Sequence, residues 1–281
     1  MARVTILGAK GGPAVRQGGA MPTALLVEMG GAQAVVDCGL GVTRGLVDAG
    51  MDLRHLAHIV ITHLHSDHVL ELGALIHTAW TTGLKTPVDV WGPAGLRAYW
   101  DGFMAAMAFD CDLRVRDEGR PPLGDLVRLH LLEEGAFSIG PISARALRVP
   151  HPPVTDCFAL RLEAAGKVLC LSADTAHFPP LADFARGADV LLHEAMLPAG
   201  IEAIIAKTGM GDKLRNHLTA SHSTALEAAQ IAQAAGVAHL VFYHLIPADD
   251  PDVTSDHWRA AIRGQWDGPF TLARDGLSLE F

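Results

Sequence analysis

Short apolar runs recur along the chain, parted by turns bearing glycine or aspartate. Residues 3–7, 24–28, 34–37 and 58–62 are rich in Val, Ile and Leu and too short for helices, so they predict strands partly covered on both faces. Helical patterns interrupt them at 43–49 and 71–80, each followed by the glycine that a left-handed cap prefers. A longer helix is expected over 93–107. The acidic, proline-bearing stretch 110–124 reads as an irregular surface excursion, either a lid or a plain loop. The second half repeats the theme, with strands expected over 127–132, 142–149, 158–163, 167–171, 190–193 and 239–243 and two short ones at the end. Helices are expected over 224–235, capped by Ser221 or Ser223, and over 256–263. Neither a low-complexity linker nor a short repeat divides the pattern. One α/β domain over residues 1–281 is therefore expected, built as two layered sheet-and-helix halves.

A chain of 281 residues, 49% of them hydrophobic, can bury a sizeable core without staples. Its net charge of −9 argues against a protein whose main task is gripping phosphate backbones, though not against a local basic groove. Cys38, Cys111, Cys157 and Cys170 are far apart and form no CxxC pair, so neither a zinc knuckle nor a disulfide framework is expected. The N-terminus leads directly into a strand-like run, and no apolar stretch reaches bilayer length; the expectation is a cytoplasmic protein with no membrane contact.

Histidine changes the picture. The chain has 15, and three fall with an aspartate in Ile61-Thr-His-Leu-His-Ser-Asp-His68, just after an expected strand. Such a cluster repels itself when protonated and is costly to bury without partners. A divalent cation resolves both problems, because neutral imidazole and carboxylate suit zinc, iron or manganese. His63 and His65, two apart on an extended turn, would share one ion, and Asp67 and His68 would face a second position.

This segment, with Asp37-Cys-Gly upstream, resembles the HxHxDH signature of the metallo-β-lactamase fold, and further matches run almost the full length of the chain. His151 between prolines looks like the third family element, Asp174 after a strand like the bridging carboxylate, and His244 in Phe-Tyr-His-Leu-Ile-Pro like the last histidine. Leu191-Leu-His-Glu-Ala195 and His222-Ser-Thr-Ala point within that fold to the ribonuclease Z and arylsulfatase-like branch. The resemblance implies an αββα four-layer sandwich of the metallo-β-lactamase type and two divalent ions, Zn2+ first and Mn2+ or Fe2+ next. It implies His63, His65, His151 and Asp174 for one ion, and Asp67, His68, Asp174 and His244 for the other. It also implies His222 as proton donor to the leaving oxygen, Glu194 as its orienting carboxylate, and a homodimer. His222 stands ahead of the 224–235 helix, whose dipole would lower its pKa, while a carboxylate behind it would raise the pKa again.

The expected function is a dinuclear metal-dependent hydrolase of small ester substrates, phosphodiesters or aryl phosphate and sulfate esters. A metal-bridging hydroxide would attack and Asp67 would orient it; no GxSxG elbow is present. The alternatives are a ribonuclease Z-type endonuclease at tRNA 3′ ends and a lactone or β-lactam hydrolase. A diiron redox protein fits less well, since His65 stands in the turn and no flavin domain is appended. Nucleic acid is not the expected partner: His151 and Asp174 are 23 positions apart, too few for a tRNA-gripping arm between them. The loop 110–124 sets three arginines among four acids. Gly8-Ala-Lys-Gly-Gly-Pro13 lacks the Walker pattern and reads as a turn near the cleft floor. His177 and His217 are candidates to line that cleft, and Trp80, Trp91 and Trp100 are read as core or rim.

Overall fold

In the computed structural model, which describes residues 2–281, the apolar runs become two sheets. The first half supplies β1 (Arg3–Gly8), β2 (Ala24–Met29), β3 (Ala32–Val36), α1 (Val42–Asp48), β4 (His58–Val60), α2 (Ser66–Val69), α3 (Leu72–Thr82), β5 (Val88–Gly92), α4 (Leu96–Glu118), α5 (Leu123–Leu126) and β6 (Val127–Leu131). The second supplies β7 (Gly135–Ile139), β8 (Ile142–Arg148), β9 (Phe158–Ala164), β10 (Lys167–Leu171), α6 (Pro180–Phe184), β11 (Val190–Met196), α7 (Ile201–Thr208), α8 (Gly211–Ser221), α9 (Ala225–Ala235), β12 (Leu240–Ile246), α10 (Ser255–Ile262), β13 (Phe270–Leu272) and β14 (Ser278–Glu280). The sheet orders are β14-β1-β2-β3-β4-β5-β6 and β13-β12-β11-β10-β9-β8-β7. Each sheet joins an antiparallel meander to a parallel run, β3 to β6 in one and β10 to β13 in the other. Parallel neighbours need crossovers, and helices supply most of them.

Strand alternation sets the layers. Val27, Leu160, Leu162, Leu171 and Tyr243 pack between the sheets. Leu46, Leu72, Ile76 and Trp80 pack the outer face of the first sheet under α1 and α3, and Leu181, Ala228, Ala232 and Trp258 pack that of the second under α6, α9 and α10. The result is the expected helix–sheet–sheet–helix order. β11 is buried at every position because parallel neighbours flank it and both its faces are covered. Among the described residues, no helix is long and apolar enough to cross a membrane.

Two local expectations are corrected. Residues 110–118 are not irregular: they continue α4, because Asp110, Arg114 and Glu118 pair at intervals of four (2.9 and 2.8 Å) while Cys111 turns inward. The charges hide the inward periodicity, and the helix ends only at Gly119, in the left-handed region. The segment 110–124 is thus no lid; the cleft is covered instead by α7 and α8, for which the sequence raised no expectation. The cap of α9 is neither Ser221 nor Ser223 but Thr224, which closes a capping box with Glu227. The serine hydroxyls donate instead to the carbonyls of Pro152 and Thr175. Trp80 and Trp100 are core, and Trp91 stacks on His130; none of the three lines the cleft.

Candidate active site

The chemistry is carried by the loops that follow parallel strands β3, β4 and β10, by the loop after antiparallel β8, and by a position near the end of β12. Asp37 follows β3, His63 and His65 follow β4, His151 follows β8, Asp174 follows β10, and His244 lies in β12. α2 begins at Ser66, which places Asp67 and His68 in one tight turn. Asp37, Ala173 and His244 adopt positive φ without being glycine, so the backbone is strained at three points of this edge.

All seven expected side chains meet here. His63, His65, His151 and Asp174 form one group and Asp67, His68, Asp174 and His244 another, the donor atoms of each lying within 4.8 Å of one another. Asp174 Oδ2 is at the centre, 3.7 Å from His63 Nε2, 3.4 Å from His68 Nε2, 3.8 Å from His151 Nε2 and 3.0 Å from His244 Nε2. The last contact lacks hydrogen-bond alignment. Asp174 Oδ1, His68 Nε2 and both ring nitrogens of His244 are buried with no hydrogen-bond partner. Several orphaned polar atoms converging on one volume would be costly in a folded protein unless a cation lies among them. The residues therefore fit divalent metal.

The electrostatics agree. Burial, reinforced by neighbouring imidazoles, keeps His63 and His65 below the ordinary histidine range, and burial does the same to His151, which favours the neutral form a ligand needs. At His68 and His244 burial also disfavours the charge, but the facing carboxylates, Asp174 first, outweigh it and push His244 up to about 10. Burial likewise opposes ionisation of Asp67 and Asp174, yet the facing histidines hold both carboxyls below the usual range.

A second ring of contacts holds these side chains. Asp37 Oδ1 accepts from the Thr62 backbone N–H (2.8 Å), and Oδ2 accepts from the Thr62 hydroxyl (2.9 Å) and lies 2.8 Å from His68 Nδ1. His151 Nδ1 donates to the Ser221 carbonyl (2.9 Å), and the Gly12 N–H donates to Asp67 (2.8 Å). The roles of Asp37, Thr62 and Gly12 were not read from the sequence; the aspartate closing a strand in Asp37-Cys-Gly was the available signal. Asp37→Asn should cost about 10- to 100-fold in metal affinity or kcat/KM, the usual effect of losing such a partner, and metal analysis beside steady-state rates will check this.

His222 and Glu194 come together as expected, with His222 Nδ1 2.9 Å from Glu194 Oε2. Glu194 is held in turn by the Thr175 backbone N–H at 2.5 Å. Burial disfavours imidazolium at His222, but the Glu194 carboxylate outweighs it and raises the pKa. His222 stands ahead of α9 as expected and is also the C-cap of α8, whose carbonyl end favours a proton and opposes the α9 dipole.

A model of the family described as Anti-Pycsar protein Apyc1 matches residues 3–241. A ribonuclease Z of Mycobacterium bovis is 30% identical over 98% of this chain and 96% of its own. The chain belongs to the Apyc1 family, in the ribonuclease Z-like branch of the metallo-β-lactamase fold. Solved structures agree on the fold. The metallo-β-lactamase fold protein YhfI of Bacillus subtilis superposes with TM-score 0.74 at 22% identity, all of both chains being covered. Zn2+-bound PqqB of Methylobacterium extorquens gives 0.71 at 17% identity, over 99% of this chain and all of that one. This Apyc1-family chain is a metal-dependent hydrolase. The names support the ribonuclease Z half of the expected branch and not the arylsulfatase half.

The two groups open into a cleft of about 410 Å³. Its floor includes Gly11 and Gly12, as the glycine-rich turn predicted. A β-carbon at Gly11 would come within 2.8 Å of His244 Cε1 and 2.7 Å of Ile246 Cγ1. Gly11→Ala should therefore displace His244 and lower metal affinity, readable by competition with a chelator. His217 lines the cleft, its ring 6.1 Å from His65 and 5.9 Å from His222; His177 is exposed and does not.

His193 is a structural histidine. Its Nδ1 donates to the Glu194 carbonyl at 2.7 Å, and burial lowers its pKa to about 4. The folded state keeps it neutral while the unfolded chain takes up a proton near the ordinary value of 6.5. Its contribution is thus complete above that pH and is lost as pH falls toward 4, amounting to at most about 3 kcal/mol. Denaturant unfolding of wild type and His193→Gln across this range should show a shallower pH dependence in the variant.

Proposed function

We propose that this chain hydrolyses small phosphodiesters, with aryl phosphate and sulfate esters as related substrates, at a centre of two divalent ions, Zn2+ first. The observation that carries this reading is the His222–Glu194 pair set beside two ligand groups that share Asp174 in one cleft. His63, His65, His151 and Asp174 would hold one ion, and Asp67, His68, Asp174 and His244 the other. Such ions supply Lewis acidity toward a phosphoryl oxygen and a water that ionises near neutral pH. Asp67, fixed by the Gly12 N–H, orients the attacking water. The new bond forms between water oxygen and phosphorus, and the bond from phosphorus to the leaving oxygen breaks. Glu194 holds the proton on His222 Nδ1, so Nε2 is the ring nitrogen that gives a proton to the leaving oxygen.

The ribonuclease reading is favoured by the name and identity of the mycobacterial relative. Three observations support the smaller substrate. The rim cations are matched by acids, Lys10 and Arg16 by Asp249 and Lys207 by Asp250. Between His151 and Asp174 lie β9 and β10 with their turns, and among the described residues no arm extends there. The arginine of α4 that faces Asp110 also pairs with Glu118, and Arg120 pairs with the same glutamate. With the cations that line the cleft already facing acids, binding to precursor tRNA should be weak and fall steeply with salt. At physiological ionic strength the protein should turn over bis(4-nitrophenyl) phosphate faster than it cleaves a precursor tRNA. Efficient, site-specific cleavage at the tRNA 3′ end would restore the ribonuclease reading.

A further inference from the structure

Besides its titratable side chains, the cleft is lined by apolar groups from the two covering helices: Ile204 of α7, Leu214 and Leu218 of α8, and Met210 at the turn between them. Ile201 and Leu218 bury themselves with Met196 and Ile246 in a small core of their own, which seats the helix pair. Ile204 and Leu214 stay half-buried, and Met210 is 63% exposed. Apolar side chains left uncovered inside a cleft favour an apolar occupant. Leu214, Leu218 and His222 follow at intervals of four, so one face of α8 leads from apolar side chains to the proton donor at its C-cap. The cleft cations offer little to a charged group there, since Lys207 of α7 already faces Asp250 at 3.5 Å.

We propose that the α7–α8 face binds an uncharged, apolar leaving group of aryl size, seated beside His222. The proposal rests on the small-phosphodiester reading above and names the leaving group it takes. A cleft of about 410 Å³ has room for a phosphoryl group over the ligand cluster and a small ring system against Leu214 and Met210.

The test uses metal-loaded protein and two diesters, methyl 2-naphthyl phosphate and methyl phenyl phosphate. Their leaving groups have similar acidity but different apolar area. Wild type should favour the naphthyl ester in kcat/KM by about tenfold, the scale of discrimination in an apolar pocket. Leu214→Ala and Met210→Ser should each shrink that ratio several-fold; Met210 is exposed, so its variant keeps the fold. In parallel, calorimetry compares 2-naphthylphosphonate with methylphosphonate, which share an anionic head and cannot be hydrolysed at the P–C bond. Tighter binding of the naphthyl compound, lost in the variants, is expected. The same ratio in all three proteins, or equal affinities for the two phosphonates, overturns the proposal. Selective naphthylphosphonate binding without turnover of either diester would keep the apolar site and defeat the small-phosphodiester reading instead.

Discussion

An Asp174→Ala protein is expected to lose hydrolysis and most of its bound metal while remaining folded. Asp174 belongs to both ligand groups, and its Oδ2 is within 3.8 Å of four imidazoles. Removing it leaves the first group with no carboxylate and the second with Asp67 as its one acid. The Nε2 atoms of His68 and His244 then face Asp67 as their remaining carboxylate, at 3.6 and 3.5 Å. The loss in kcat/KM should exceed the roughly 100-fold upper range for an outer partner, because a ligand itself is removed. Elemental analysis and steady-state rates on the same preparation check this. A variant that retains two metals and full activity would refute the assignment of Asp174.

The second large effect belongs to His222. His222→Ala leaves every member of both ligand groups in place, so metal content should hold. The rate should fall by about 10²- to 10⁴-fold for esters whose leaving oxygen needs a proton, and much less for nitrophenyl esters, whose leaving group departs as a stable anion. Glu194→Gln should reproduce the same selectivity in milder form, since the amide cannot hold the imidazolium as Glu194 does at 2.9 Å. Equal losses for both leaving groups would assign His222 a binding role only.

Much of this site could be read from the chain because its ligands sit where patterns change. His63, His65, Asp67 and His68 lie together after a strand, and His151, Asp174 and His244 each stand at or near a strand end. Periodicity locates strand ends well. It failed where charge covered it, as along α4, whose Asp110–Arg114–Glu118 ladder looks like a loop in sequence. Contacts between distant segments were also out of reach. Nothing local says that the Asp37 carboxylate grips His68 across 31 positions, or that the Gly12 amide reaches Asp67 across 55. The covering helices went unread because α7 and α8 are short and amphipathic, and part of their apolar face meets the cleft rather than the main core.

Metal titration of chelator-treated protein, followed by turnover of bis(4-nitrophenyl) phosphate at each loading, tests the central claim most directly. Activity should be absent without metal, rise with added Zn2+ or Mn2+, and level off at two equivalents per chain. Full turnover by metal-free protein, or none at any loading, would contradict it.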